Sequence, residues 1–300
     1  MSRILIMVVL IMVMVSLLSV WFYPSMQDFM ATNATWNGIK GFSSEFKAEI
    51  PESLGVIPGI SGQAEKKALI AIPMLDFSTE DLLIIRNFIN DGGTLLLIDD
   101  YGYANTILSY LDIDIRFSKA PLLDPLFSYK NQNMPRITDF IPELKEAGIN
   151  VLMFNNATAL LNVLEPEAIA WSSKASFLDK DGNGILSPRD SRGPLAVATQ
   201  VTLGKGKVIM VSDSSIIVNS MVGRDNNYDF IKYITSHNGE SKQILIDGSH
   251  LAKAPLDKAK PILAAAKKAL SNPYALIGLM AFVFIAVYRY TVWGGESVGR

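Results

Sequence analysis

Two stretches of this 300-residue chain resist burial in an ordinary soluble core. Residues 4–23 contain no charged side chain, and neither do residues 274–288. At about 1.5 Å rise per residue, a helix of roughly 20 residues crosses one hydrocarbon core of about 30 Å. The first run is of that length. Trp21, Phe22 and Tyr23 crowd its far end, where amphipathic rings favour the headgroup level. No small-residue cleavage site precedes Pro24, so the run is expected to be an uncleaved signal anchor rather than a removed leader. The second run becomes long enough when it continues to Trp293, with Arg289 snorkelling toward the interface. Asn272 can cap that helix, Pro273 suits its first position, and no polar stripe interrupts its circumference.

The expected organisation follows: a transmembrane signal anchor over residues 1–23, an extracytoplasmic domain over 24–257, a juxtamembrane helix and second span over 258–293, and a short tail over 294–300. Arg3, Arg289 and Arg300 favour cytoplasmic termini. Lys253, Lys258, Lys260, Lys267 and Lys268 precede the second span and argue the other way, but long domains translocate largely regardless of charge. The expected location is the cell membrane, and the expected partners are the membrane itself and other envelope or membrane proteins.

Composition removes several function classes. The chain has no cysteine, which excludes disulfides, thiolate metal sites and thiol catalysis. It has two histidines, too few for a multi-histidine metal centre. A net charge of −2 provides no basic face for nucleic acid.

Between the apolar runs the pattern is α/β. Residues 67–72 (KALIAI) read as a buried strand, and 73–77 close it. Ser78 with Asp81 forms a capping-box variant that opens a helix over 79–90, and Gly92-Gly93 ends it. Residues 94–98 (TLLLI) form a second buried strand, which runs into Asp99-Asp100-Tyr101-Gly102 and a helical stretch over 104–111. Strand, helix and strand in this order imply a parallel unit, whose ligands sit beyond the carboxyl ends of the strands. Residues 113–150 carry four prolines and read as a long surface excursion. Further short strands are expected at 150–154 and 168–171. A β-hairpin is expected from 195–203 and 207–212 around Gly204-Lys205-Gly206, then helices after Ser215 and over 228–235. A last strand at 243–246 ends in Asp247-Gly248-Ser249-His250.

The unit at 67–102, the hairpin GKGKVIMVSDSSIIVNSM and the closing strand with DGSH resemble the class I glutamine amidotransferase-like fold. More narrowly, they resemble the membrane-anchored prokaryotic family known as domain of unknown function 4350, its archaeal members above all. The resemblance implies a parallel-type, flavodoxin-like sheet. It does not imply glutaminase chemistry. The fold's nucleophilic Cys position corresponds to Asp100, and the expected His-x-Glu pair is absent after both His237 and His250. A carboxylate does not replace a thiolate and its imidazole in amide hydrolysis.

Two readings of function remain. The first is a non-catalytic binding or scaffolding ectodomain in a cell-envelope assembly, in which Asp99 and Asp100 cap the next helix and satisfy loop amides. The second is an envelope hydrolase using Asp99, Asp100 and His250 for acid–base work. Ser214 and Ser215 lack the strained-turn context of a serine nucleophile.

The most specific local motif is residues 179–190, DKDGNGILSPRD. Oxygens of Asp179, Asp181 and Asn183, the Ile185 carbonyl, Ser187 and Asp190 stand at the ligand positions of a calcium loop, with Gly184 at the sharp turn. Asp190 replaces the usual Glu, and Pro188 leaves no room for a long exiting helix. The expectation is an isolated structural calcium loop.

Overall fold

The computed structural model describes residues 3–22, 26–56, 63–236, 241–252 and 254–270, with scattered positions from 274 to 289. The chain divides into two units. One is Pro24–Ala252; the other joins Met1–Tyr23 with Lys253–Arg300.

Pro24–Ala252 is built on a seven-stranded sheet. In chain order its strands are β1 (Lys67–Ala71), β2 (Thr94–Ile98), β3 (Asp139–Phe140), β4 (Ala168–Trp171), β5 (Ala196–Leu203), β6 (Gly206–Val211) and β7 (Gln243–Ile246). Their order across the sheet is β7-β1-β2-β6-β5-β4-β3. The first four are parallel, with β2 locked to β6 from Thr94↔Lys207 to Ile98↔Val211. The last three run antiparallel. The sheet is therefore mixed, not parallel throughout. The two-residue turn Gly204–Lys205, with Gly204 at φ 58°, folds β5 directly back on β6 and allows no parallel pairing there.

Helices cover both faces, which is why the central strands read as continuous apolar runs. On one face, Leu69, Leu95, Leu97, Val208 and Met210 pack against α3 (Thr79–Asn90) and α4 (Asn105–Tyr110). On the other, Ile70, Leu96, Ile98, Ile209 and Val211 share a core with α2 (Lys40–Glu45), α5 (Pro142–Glu146) and α6 (Asn227–Thr235) through Phe42, Leu144, Phe230 and Ile231. The capping box forms as the residues require: Asp81 N–H donates to Ser78 Oγ at 3.2 Å, and Ser78 N–H to Asp81 Oδ2 at 3.3 Å. At the other end of α3, Gly206 lets β6 pass the helix terminus. A Cβ at Gly206 would lie 2.2 Å from the Gly93 carbonyl oxygen.

Other sequence expectations shift in detail. The segment after Ser214 is a single 3-10 turn, Ser214–Ile217, rather than a helix. The excursion over 113–150 is ordered by short antiparallel ladders that pair 116–117 with 160–161 and 136–137 with 152–153.

In the other unit, α1 (Arg3–Phe22) and α7 (Pro255–Leu270) pack together, and Lys267 Nζ stands 5.1 Å from the centre of the Trp21 ring. The helix expected to begin at 258 starts at Pro255 because proline suits a first helical turn. Met7, Ile11, Met12, Val15, Leu18 and Phe22 of α1 are exposed. Among the described residues, no helix is long and apolar enough to cross a membrane. The expected second span falls mostly outside the described residues.

Candidate functional site

The carboxyl ends of β2 and β6 lie side by side and lead to opposite faces of the sheet. β2 is followed by α4 on one face and β6 by α6 on the other. Adjacent parallel strands that diverge in this way leave a crevice between their following loops. A cavity of about 680 Å³ opens there. Tyr101, Gly102 and Tyr103 after β2 line it, as do Ser214, Ser215 and Val218 after β6. Met74 after β1 joins them, with Asp28, Phe29, Trp36 and Asn37 from the N-terminal segment and Lys119, Asn155 and Asn156 from the excursion and the segment that follows it.

Buried aspartates hold the turns that carry the lining residues. Asp99 Oδ1 accepts from the backbone N–H of Tyr101 at 2.8 Å and Gly102 at 3.0 Å, and Oδ2 accepts from Ala104 at 2.7 Å. It holds the turn into α4, where Gly102 adopts φ 83°. Asp100 reaches across to β6 and accepts from Ser214 Oγ at 2.9 Å. Asp213 accepts from Ser215 N–H at 2.8 Å and Asn155 N–H at 2.7 Å, which fastens the excursion to the end of β6.

These acids share one electrostatic environment. Burial raises the Asp99 carboxyl despite its backbone donors. Burial, opposed by the Ser214 hydrogen bond and reinforced by Asp99, pushes Asp100 up to about 7. Burial and then Asp100 push Asp213 well above the usual carboxylate range. The charge of Asp100 is also the main cause that raises the Tyr101 phenol at the cavity wall.

His250 serves a different place. Its Nδ1 lies 2.6 Å from Asp247 Oδ2, its Nε2 3.6 Å from Asp81 Oδ2, and its ring stacks on Phe77 at 3.5 Å. It ties the end of β7 to the start of α3. Among the described residues it makes no hydrogen bond or ion pair with Asp99 or Asp100, and none of the three lines the cavity. The other histidine, His237, lies outside the described residues.

The loop over 179–190 connects Phe177–Leu178 to Ser191–Arg192 in a short antiparallel ladder. One carboxylate oxygen each from Asp179, Asp181 and Asp190 lies within 4.8 Å of the others. Ser187 Oγ donates to Asp181 at 3.0 Å and Asp190 at 2.8 Å. Backbone N–H groups of Lys180 and Ser187 hold the Asp190 carboxyl below its ordinary value, so it is ionised at neutral pH. Asn183 Oδ1 accepts from the Ile185 N–H at 2.7 Å. Asp179, Asp181 and Asp190 could together hold a cation, with Ser187 beside them.

The family model described as Domain of unknown function (DUF4350) matches residues 31–235. The chain belongs to this family. The mmIFT52 N-terminal domain has a similar fold, with TM-score 0.51 and 11% identity over 73% of this chain and 97% of that one. A beta-galactosidase from Bacillus circulans sp. alkalophilus aligns with 59% of this DUF4350 chain and 23% of its own length, at TM-score 0.36 and 15% identity. No curated protein matches by sequence.

The sequence places Asp99, Asp100, Ser214 and Ser215 at strand ends but leaves out most of the cavity. Asp213 stands at the same strand end as Ser214 and Ser215 and is read there from the sequence as well. Trp36, Lys119 and Asn155 come from segments without periodicity, and only the tertiary fold brings them to the cleft.

Asp100 generates a pH prediction. Its carboxyl ionises near 7 in the fold, against 3.8 ordinarily, so the fold binds the proton more tightly than the unfolded chain does. This contribution is fully present below about pH 4 and is lost as pH rises through about 7, at up to roughly 1.4 kcal/mol per pH unit. Asp100→Asn keeps an acceptor for Ser214 and removes the charge. In thermal melts of the full chain it should raise the melting temperature at pH 8, with the gain shrinking toward pH 4. An equal effect at both pH values would show that Asp100 is not ionised by burial-linked titration in this range.

Proposed function

We propose that this DUF4350 protein is a membrane-anchored, non-catalytic binding protein whose extracytoplasmic α/β domain engages its ligand at the ends of β2 and β6. The observation that carries this reading is the cavity itself. It presents aromatic, amide and hydroxyl side chains at the place where open α/β sheets bind ligands. The residues a hydrolase would need are committed elsewhere. Asp99 saturates three backbone amides, and His250 is held by Asp247 against Phe77. The partners are other envelope or membrane proteins, or a ligand they deliver. The resemblance to the amidotransferase-like fold supports the same location for the site without supporting its chemistry.

The cysteine-free chain makes the cleft directly testable. Ser215→Cys introduces a unique thiol on the cavity wall, and Glu146→Cys introduces one on the exposed face of α5. Photoreactive labels on each should give different results in native membranes: a discrete adduct from Ser215→Cys and none from Glu146→Cys. Identical labelling from both would remove the cleft from the binding function.

Membrane anchoring is supported by the uncharged run over 4–23 and by the exposed apolar side chains of α1. Protease added to intact cells or spheroplasts should degrade the region 24–252. Full protection of that region, with cleavage only after lysis, would place it on the cytoplasmic side and give the lysines of α7 the deciding weight.

Calcium is the proposed structural cofactor of the 179–190 loop, supported by the motif spacing and the convergence of Asp179, Asp181 and Asp190. A site of this kind, with a short acid at the last position, works in the range of roughly 10⁻⁴ to 10⁻³ M. A hundredfold excess over such a constant stabilises the fold by about 2.7 kcal/mol. The full chain should therefore melt higher in calcium raised to about 10 mM, a hundredfold excess over the tighter end of that range, than in chelator, and Asp181→Ala should abolish the difference. Identical wild-type melts in both conditions would leave the loop as a turn only.

A further inference from the structure

The cleft carries more information than its position. Trp36 and Tyr101 expose 68% and 61% of their surfaces, and Tyr103 is exposed beside them, all lining one cavity. Large aromatic side chains held at the mouth of a cleft are contact surfaces rather than core. Asp99, Asp100 and Asp213 are buried in the turns that carry Tyr101 and Ser214, and Asp28 stands on the wall with its carboxylate accepting from the Asn37 amide. None of these four acids forms an ion pair among the described residues. Lys119 is the single basic residue of the lining, and its stem lies along Gly102, where an added Cβ would meet its Cε at 2.4 Å.

We propose that the cleft binds a small organic cation, an ammonium group recognised by the rings of Trp36, Tyr101 and Tyr103 together with the carboxylate of Asp28, with the buried Asp100 acting on it through its charge from behind Ser214. This rests on the binding reading of the cleft and names the ligand's chemistry. An ammonium is attracted by the faces of aromatic rings, more strongly where water is excluded. It also compensates carboxyls that otherwise repel one another. A neutral polyol would use the rings and amides but leave the acids uncompensated, and an anion would be opposed by them.

The same geometry makes binding pH-dependent. Asp100 is faced by Asp99 on its own turn, by Asp213 and Ser214 from the end of β6, and by Tyr101 at the wall, with Lys119 elsewhere on the lining. Its carboxyl ionises at about 7. A cation favours the ionised form, so binding releases a proton and tightens as pH rises through that value.

The test uses the full chain in a non-ionic polyoxyethylene detergent, with choline and its uncharged isostere 3,3-dimethylbutan-1-ol as calorimetric probes. Choline should bind saturably at pH 8, about tenfold or more tighter than the isostere. Its affinity should fall about tenfold by pH 6. Trp36→Ala should weaken choline, and Asp100→Asn should weaken it at pH 8 and flatten the pH dependence. Equal affinities for the two probes would overturn the cation assignment while leaving the cleft a binding site. No saturation by choline up to the order of 10 mM would also overturn it. The Ser215→Cys adduct decides the cleft's role independently.

Discussion

The parallel pairing of β2 with β6 is the constraint on which the rest of the structure depends. These strands are far apart in sequence, and more than a hundred residues, the excursion among them, lie between them. Their register from Thr94↔Lys207 to Ile98↔Val211 brings Asp99 and Asp100 beside Ser212, Asp213 and Ser214. The Asp99 N–H donates to the Val211 carbonyl at 3.2 Å, which extends the ladder to the first residue of the site. A slip of one residue would exchange the two buried faces and carry the aspartates away from one another. Pairing, core and cleft are therefore one structural fact.

The excursion and the segment after it are fastened to this pair by hydrogen bonds, with the five-residue α5 as their one α-helix among the described residues. Thr158 N–H donates to the Ser212 carbonyl at 2.9 Å, and Ser212 Oγ donates to the Thr158 carbonyl at 2.8 Å. Asp213 holds Asn155, and Thr158 Oγ1 donates to the Ala120 carbonyl at 2.7 Å. These bonds explain how a proline-rich segment with only two-residue strands presents Lys119, Asn155 and Asn156 to the cleft. Buried polar groups do here what apolar periodicity does in the central sheet.

This difference sets what was legible in the sequence. β2, β4, β7 and α3 have the bounds read from their residues, because continuous apolar runs, the Ser78–Asp81 box and Gly92-Gly93 are local signals. The strand ends carrying Asp99, Asp100 and Ser214 were legible for the same reason. The antiparallel half of the sheet was only partly so. The hairpin announced β5 and β6, but β3 has two residues and is defined by its pairing with β4 alone. The joining of Asp99, Asp100 and His250 into one centre was not supported by geometry. Their strands, β2 and β7, are separated by β1, and His250 finds nearer partners in Asp247 and Phe77. Asn33, the acceptor of an N-x-T triplet, is another local signal that the fold uses differently. It is fully buried, and its amide donates to the Gln27 carbonyl and Asn37.

The aspartates also separate structural need from function within a single turn. Asp99 is buried but receives three backbone hydrogen bonds, so the fold gains a defined turn in return for its desolvation. Asp100 receives one hydroxyl, stands next to Asp99 and Asp213, and ionises near neutrality at the fold's expense. A turn of this kind does not require an acid at Asp100, since an asparagine would accept from Ser214 equally well without repelling its neighbours. A destabilising charge maintained beside a cleft, where a ligand could offset it, is an electrostatic arrangement in which perturbed carboxyls of binding sites are found, and it is the feature that the cation proposal puts to the test.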